Sequence, residues 1–189
     1  MRNAEKMANL VKTSKVGELA FDGTASFDDG SDTTYGGHLL AQASYSASQT
    51  VADSGKRLHA ITANFLQAGV SGKNYLYEVE KLSDGKSFSR RNVRAFQDNR
   101  LILQLVASFS RESDGLQFKA KSPPDFSSIP SPESLPTYNV LMRSLDKVPF
   151  REDWAFRQHG FDRRIIKAPW KNPQLDFSDG IKMWIKADG

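Results

Sequence analysis

The side chains that could do chemistry in this sequence are few and scattered. His38 follows the glycine pair Gly36–Gly37 in the stretch YGGHLLAQASYSASQTV (35–51), Gln42 comes four residues later, and His59 falls near the start of the apolar run LHAITANFL. An imidazole titrates near neutral pH, so His38 could act as a general base beside a bound carbonyl. A locally hydrogen-bonded helix-start residue is the plainer reading, and both stay open. His59, inside an apolar strand, reads as structural. Gln42 could meet a ligand amide or satisfy buried backbone. Lys86, Arg90, Arg91 and Arg94 form a basic cluster able to hold a phosphate, with a solvated strand face as the alternative.

Other chemistries are excluded or unsupported. The sequence has no G-x-S-x-G elbow and no G-x-x-x-x-G-K-[ST] loop. Asp28 and Asp29 have no second acid at a useful position for a carboxylate pair. With no cysteine there is no disulfide, thiolate metal site or cysteine nucleophile, and His38, His59 and His159 lack zinc-ligand spacing. No metal and no cofactor are expected. No apolar run reaches the roughly 18 residues of a membrane span, and the polar N-terminus does not read as a secretory signal. The net charge of +4 tolerates anionic partners, phosphorylated small molecules included. No helix carries a basic stripe, so nucleic acid is not an expected partner. Single-stranded RNA on the basic strand cluster is the weaker reading beside it.

The elements that would position these residues follow from periodicity. Residues 3–12 read as a short amphipathic helix with Met7, Leu10 and Val11 on one side, and ELAFDGTASF as a strand. The quoted stretch is a helix ending near Gly55, with an inner stripe of Leu39, Leu40, Ala43, Ala47 and Val51. Its glycines open backbone N–H groups to a ligand or allow tight packing; a Cβ there is costly on either reading, the more so at positive φ. Four strand candidates follow: LHAITANFL, YLYEVEKL, SFSRRNVRAFQ and RLILQLVASFS. In the third, Phe88, Arg90, Asn92, Arg94 and Phe96 share a face. Asp98–Asn99 marks a hairpin, and the last strand, the most apolar, is expected at the centre. One long helix among mostly antiparallel strands is an α+β fold. Beyond Arg111 the proline-rich SPPDFSSIPSPESLP reads as linker, TYNVLMRSLDK as a short helix, REDWAFRQHGFDRRIIKAPWKNP as irregular and GIKMWIKADG as a strand.

Taken in order, YGGHLLAQA, LHAITANFLQAG, YEVEKLSDGKSFSRRNVRAFQ and RLILQLVASF resemble the acyl-CoA thioesterase II family over about Leu19 to Phe109. The resemblance implies a double hotdog, two tandem domains each with a long helix wrapped by an antiparallel sheet. It divides the chain into an N-terminal hotdog (1–111), a linker (112–179) and the first strand of a second hotdog (180–189), since MWIKADG is similar to the family's VWIRANG. The family's catalytic Asp, Ser or Thr, and Gln lie in its second hotdog, so no catalytic residue is assigned here. By the pseudo-symmetry of the two halves, the Asp position corresponds to Gly37–His38 and the Ser/Thr position to about His59. The sequence departs from the pattern at three places: His38 stands for the usual Gln, Thr62 for a common His, and QAG for RPG.

The expected function is that of an acyl-CoA thioesterase-like protein, hydrolysing fatty acyl-CoA to free acid and CoA, with its catalytic half outside this chain. The alternative is a non-catalytic acyl-CoA-binding or assembly module. Gly36, Gly37, His38, Gln42, His59 and Arg91 are the candidate substrate-binding residues. Further expectations are acyl-CoA as ligand, homo-oligomers joined through sheet edges, and an intracellular setting, cytoplasmic or peroxisomal.

Overall fold

The computed structural model describes residues 8–25, 32–116, 118, 127, 129–145, 161–167 and 182–187. The chain divides into two compact units, Met7–Gly115 and Leu116–Gly189 with Met1–Lys6.

The first unit is built on a helix, α1 (Gly36–Ser48), and six antiparallel strands. These are β1 (Ser14–Lys15), β2 (Ala20–Thr24), β3 (Lys56–Phe65), β4 (Asn74–Asp84), β5 (Phe88–Gln97) and β6 (Arg100–Arg111), in the spatial order β1-β2-β4-β5-β6-β3. The helix packs against β2, β3, β4, β5 and β6. Alternate residues of the central strands face it: Tyr75, Tyr77 and Val79, then Val93 and Ala95, then Leu103, Leu105, Ala107 and Phe109. The small Ala43 and Ala47 on its inner face let this sheet approach closely. This is the hotdog arrangement implied by the resemblance. The most apolar strand, β6, is interior but next to the edge, and β4 and β5 hold the middle.

Two local features shape the sheet. Asp98 and Asn99 have φ of 50° and 60°, the left-handed pair that a two-residue hairpin turn needs. At the start of β6 the pairing steps from Ala95–Leu103 to Phe96–Leu101, leaving Ile102 as a bulge residue. Released from the ladder, its carbonyl accepts hydrogen bonds from the backbone N–H groups of Leu66 (2.8 Å) and Gln67 (3.3 Å). The bulge thus fixes where the chain turns after β3.

Of the expected N-terminal helix, residues 8–11 are helical and 3–7 lie outside the described residues. In the second unit, α2 (Tyr138–Arg143) begins at Thr137, whose hydroxyl caps the Val140 N–H. Strands β7 (Phe161–Lys167) and β8 (Lys182–Ala187) form an antiparallel pair. The sequence reading had FDRRIIK as irregular and inside the linker. Its alternation is masked by two adjacent arginines, which the pleat sends to opposite sides. Arg163 lies 4.1 Å from the Tyr138 ring centre, while Arg164 donates to the carbonyls of Pro132 (2.8 Å) and Leu135 (3.0 Å). Among the described residues no helix is long and apolar enough to cross a membrane.

Candidate functional site

A cavity of about 460 Å³ opens at the start of α1. Its lining is Thr33, Thr34, Gly36, Leu39, Phe65, Leu66, Gln67, Ala68 and Gly69. It therefore joins the helix start to the end of β3 and the turn that follows. Hydrogen bonds reinforce this turn from behind. Thr34 donates its N–H to the Gly69 carbonyl (2.9 Å), and its hydroxyl bonds the Tyr75 hydroxyl (2.7 Å). Gln97 holds Val70 at both backbone groups, accepting from its N–H at 2.7 Å and donating to its carbonyl at 3.0 Å. Gly69 is obligatory, since a Cβ there would run into the Tyr75 hydroxyl. Among the described residues the lining carries no titratable side chain. Such a surface holds apolar matter with a few neutral hydrogen-bonding groups at its rim.

Gly36 is the one sequence-predicted site residue in that lining. Its neighbour Gly37 lies beneath the Tyr35 ring, where a Cβ would come 2.5 Å from Cε1. Neither glycine has a positive φ; the open conformational choice in the sequence is settled by close approach.

His38 and Gln42 come together on another face of the same helix. Both donate from Nε2 to the Leu10 carbonyl, at 2.6 and 2.8 Å. A carbonyl only accepts, so His38 carries its proton on Nε2. Gln42 also donates to the Thr24 carbonyl (3.2 Å), and its Oε1 accepts from the Tyr77 hydroxyl at 2.7 Å. Ser46, one turn further, bonds Thr13 (2.9 Å). The row His38, Gln42, Ser46 is thus a buried polar ladder along which the segment before β1 is tied down. The inner-stripe reading missed it because it counted only apolar side chains. Burial pushes the His38 pKa down, partly opposed by its bond to Leu10, and pushes the Tyr77 hydroxyl far above its ordinary value. Gly23 makes room: a Cβ there would come 2.9 Å from both Gln42 Oε1 and Thr13 Cγ2.

Arg91 belongs to the opposite end of α1. The helix spans roughly 20 Å, so this residue and Gly36 cannot touch one small group. Arg91 is 1% exposed. It donates to Thr50 Oγ1 (2.7 Å), to the carbonyls of Thr50, Ser83 and Arg90, and to both carboxylate oxygens of Asp84 at 2.9 and 3.1 Å. The expected basic cluster is divided by the pleat: Arg91 points inward, while Arg90 and Arg94 lie outward beside Phe88 and Phe96. His59 is the extra residue of a bulge in β3, between Leu58 and Ala60. Its Nε2 is 2.9 Å from Ser108 Oγ on the exposed side of the sheet.

The six candidates therefore occupy five places: the cavity, the Tyr35 contact, the polar ladder, the bulge and the far end of the helix. Phe65, Leu66 and the turn to Gly69 were not foreseen as site residues. Their signal in the sequence is an apolar strand that ends on Phe-Leu directly before a glycine-containing turn.

Residues 24–110 match the family model of the acyl-CoA thioesterase N-terminal domain. The hotdog domain belongs to this family. Acyl-CoA thioesterase 2 of Haemophilus influenzae is 31% identical over 187 residues, covering 97% of this chain and 63% of that protein. A tesB protein of Mycobacterium avium subspecies paratuberculosis superposes with a TM-score of 0.68 at 27% identity, over 98% of this chain and 61% of the other. An Alicyclobacillus acidocaldarius protein with a hot dog fold gives 0.65 at 16% identity, over 86% of this chain and 55% of the other, a likeness of fold alone. The chain spans less than two thirds of the length of each of these three proteins.

Proposed function

We propose that this chain serves acyl-CoA thioester hydrolysis, its hotdog domain holding the acyl portion in the cavity at the start of α1. The observation that carries the reading is the thioesterase-family domain with an apolar cavity at the start of its helix. A cavity without a titratable group supplies binding and orientation. Proton transfer and water activation then fall to groups outside that lining. The same observation favours a second reading, an acyl-CoA-binding module without hydrolysis. Gly36 would contact the ligand directly. Gly37, His38, Gln42, His59 and Arg91 would reach it only through neighbouring elements, or at more distant parts of a CoA.

A thiol-release assay and titration with a thioether analogue of acyl-CoA separate the readings. Thiol release supports hydrolysis by groups within this chain and overturns the expectation that the catalytic half lies outside it. Saturable binding without thiol release supports the binding reading. Absence of both refutes the two together.

The partner is a second hotdog sheet, supplied in solution by another copy of this chain. Among the described residues β3 pairs only with β6, and its apolar Leu58 and Ile61 are exposed. Such an edge invites strand pairing. Light scattering at tens of micromolar, about the range of ordinary dimer affinities, is expected to give a dimer, and a clean monomer speaks against it. An acyl-CoA ligand implies an intracellular setting, cytoplasmic or peroxisomal, which a fluorescent fusion reports.

A further inference from the structure

The cavity at the start of α1 has walls of unequal stiffness. Leu39 belongs to the buried core. Thr34 is held by Tyr75 and by the Gly69 carbonyl, and Gly69 itself rests on Tyr75. The backbone of Leu66 and Gln67 hangs on the Ile102 bulge carbonyl. What remains soft is two apolar side chains, Phe65 at 53% and Leu66 at 50% exposure. They differ in what lies under them. The Phe65 ring crosses the helix start, so that a Cβ on Gly36 would fall 3.0 Å from its Cε1 and Cζ. The position of the ring is therefore matched to a missing side chain.

We propose that Phe65 is the specificity-determining residue of this cavity: its ring, resting on Gly36, sets the width open to an acyl chain, admitting straight chains and rejecting those branched near the thioester. The inference rests on the acyl-binding reading and adds the substrate class. A ring on the rim can yield only by leaving its seat on the helix, and no side chain at Gly36 takes its place. A straight chain passes beside it, whereas a branch needs the space the ring occupies. Discrimination by shape against one or two extra carbons amounts to about tenfold or somewhat more. Leu66 lines the same cavity with similar exposure but is not among the nearest neighbours of any described glycine, so it supplies apolar surface without setting the width.

The test is calorimetric titration of the full chain with two isomeric CoA thioethers, n-octyl and 2-ethylhexyl, and with the two corresponding alcohols. The wild type is expected to favour the straight isomer by about tenfold. Phe65→Ala brings the ratio close to one, while Leu66→Ala weakens both isomers and keeps the wild-type ratio. Gly36→Ala, which pushes the ring toward the cavity, raises the ratio. In the Phe65→Ala background the same substitution does nothing, a coupling that independent structural effects do not produce. Phe65 is half exposed, so its truncation leaves a folded protein, which a thermal melt checks. A Phe65→Ala ratio equal to that of the wild type overturns the proposal, as does wild-type protein that binds both isomers alike or binds neither alcohol. Alcohols that show the expected pattern beside thioethers that fail to bind uphold Phe65 as the filter and refute acyl-CoA as the ligand.

Discussion

The two ends of α1 are built on opposite principles. At its start, the contacts among the described residues are made by neutral groups: glycine backbone, the hydrogen bonds of His38, Gln42 and Tyr77, and a cavity whose lining carries no charge. At its finish lies an ionic knot. Arg91 bonds Asp84 and Thr50, and Lys56, nearly buried, donates to the Gly85 carbonyl and to Ser89 Oγ. Arg111 pairs with Asp53 at 2.6 Å. The hydrogen bond from Ser89 and the Arg91 guanidinium hold the Asp84 carboxyl below its usual range. The cavity adjoins the neutral end, and the charged groups gather at the other.

The largest way to break this contrast is Arg91→Ala. It leaves the Thr50, Ser83 and Arg90 carbonyls and the Thr50 hydroxyl short of a donor. The half-exposed Asp84 can return to water. The expected loss is about 3 kcal/mol of unfolding free energy by urea titration, set by orphaned buried acceptors. Arg91→Lys keeps the charge but not the fork, and recovers only part of it. Acyl-CoA-analogue affinity of the fraction still folded is expected to match wild type. A selective loss of affinity would make Arg91 a ligand contact and end the division of labour between the two ends.

Next in size is the neutral end. Tyr77→Phe removes the donor to Gln42 Oε1 deep in the core. The cost is about 1.5 kcal/mol for one unsatisfied buried acceptor. Because the bond joins uncharged groups, the loss is the same at low and high salt, and denaturation at two ionic strengths checks it.

How much of this was legible beforehand differs between the two ends. Helix, strand order along the chain and the Asp98–Asn99 turn follow from periodicity and turn chemistry, which are local, whereas the hotdog followed from the family resemblance. The bulge at Ile102 is not local. Residues Leu101 to Leu103 read as an unbroken apolar run, and only pairing with Ala95 and Phe96 shows which one is extra. The cavity turn hangs on that bulge, so it stayed hidden. Arg91 was misleading for another reason. Adjacent to Arg90 in sequence, it looked like half of one basic patch, yet neighbours in a strand face opposite ways. Strand alternation already implied that separation, since Arg90 and Arg94 were assigned to one face without it.

A smaller effect sharpens the reading of the glycine pair. Gly37 is in regular helix, and the atoms nearest to a Cβ there belong to the ring of Tyr35, which is 64% exposed. Alanine gains up to about 1 kcal/mol of helix propensity over glycine. Gly37→Ala is therefore expected to be neutral or stabilising by up to that amount in a thermal melt, against the loss that a positive φ would have caused. A clear destabilisation would mean that the Tyr35 contact holds the helix start.

The smallest effect lies in His38→Gln, and pH exposes it. The folded pKa of His38 is held below its ordinary 6.5, mainly by burial. The unfolded chain then binds the proton first, so this contribution to stability is complete above pH 6.5 and declines as pH falls through the folded pKa. The Tyr77 hydroxyl, pushed far upward, does not titrate in that window. Asp84, lowered from 3.8, loses its contribution only at more acid pH. Glutamine keeps an N–H donor within reach of the Leu10 carbonyl and carries no titrating group. At pH 8 the variant is expected to match wild type within about 1 kcal/mol, the worth of one hydrogen bond. Between pH 6.5 and the carboxylate range its denaturation midpoint should fall less steeply than that of wild type. Parallel pH profiles would show that His38 is not the acid-sensitive group at the neutral end. Binding of the acyl-CoA analogue is expected to be unchanged or tighter in the variant. A tenfold loss, about 1.4 kcal/mol, would instead assign His38 a contact with the ligand.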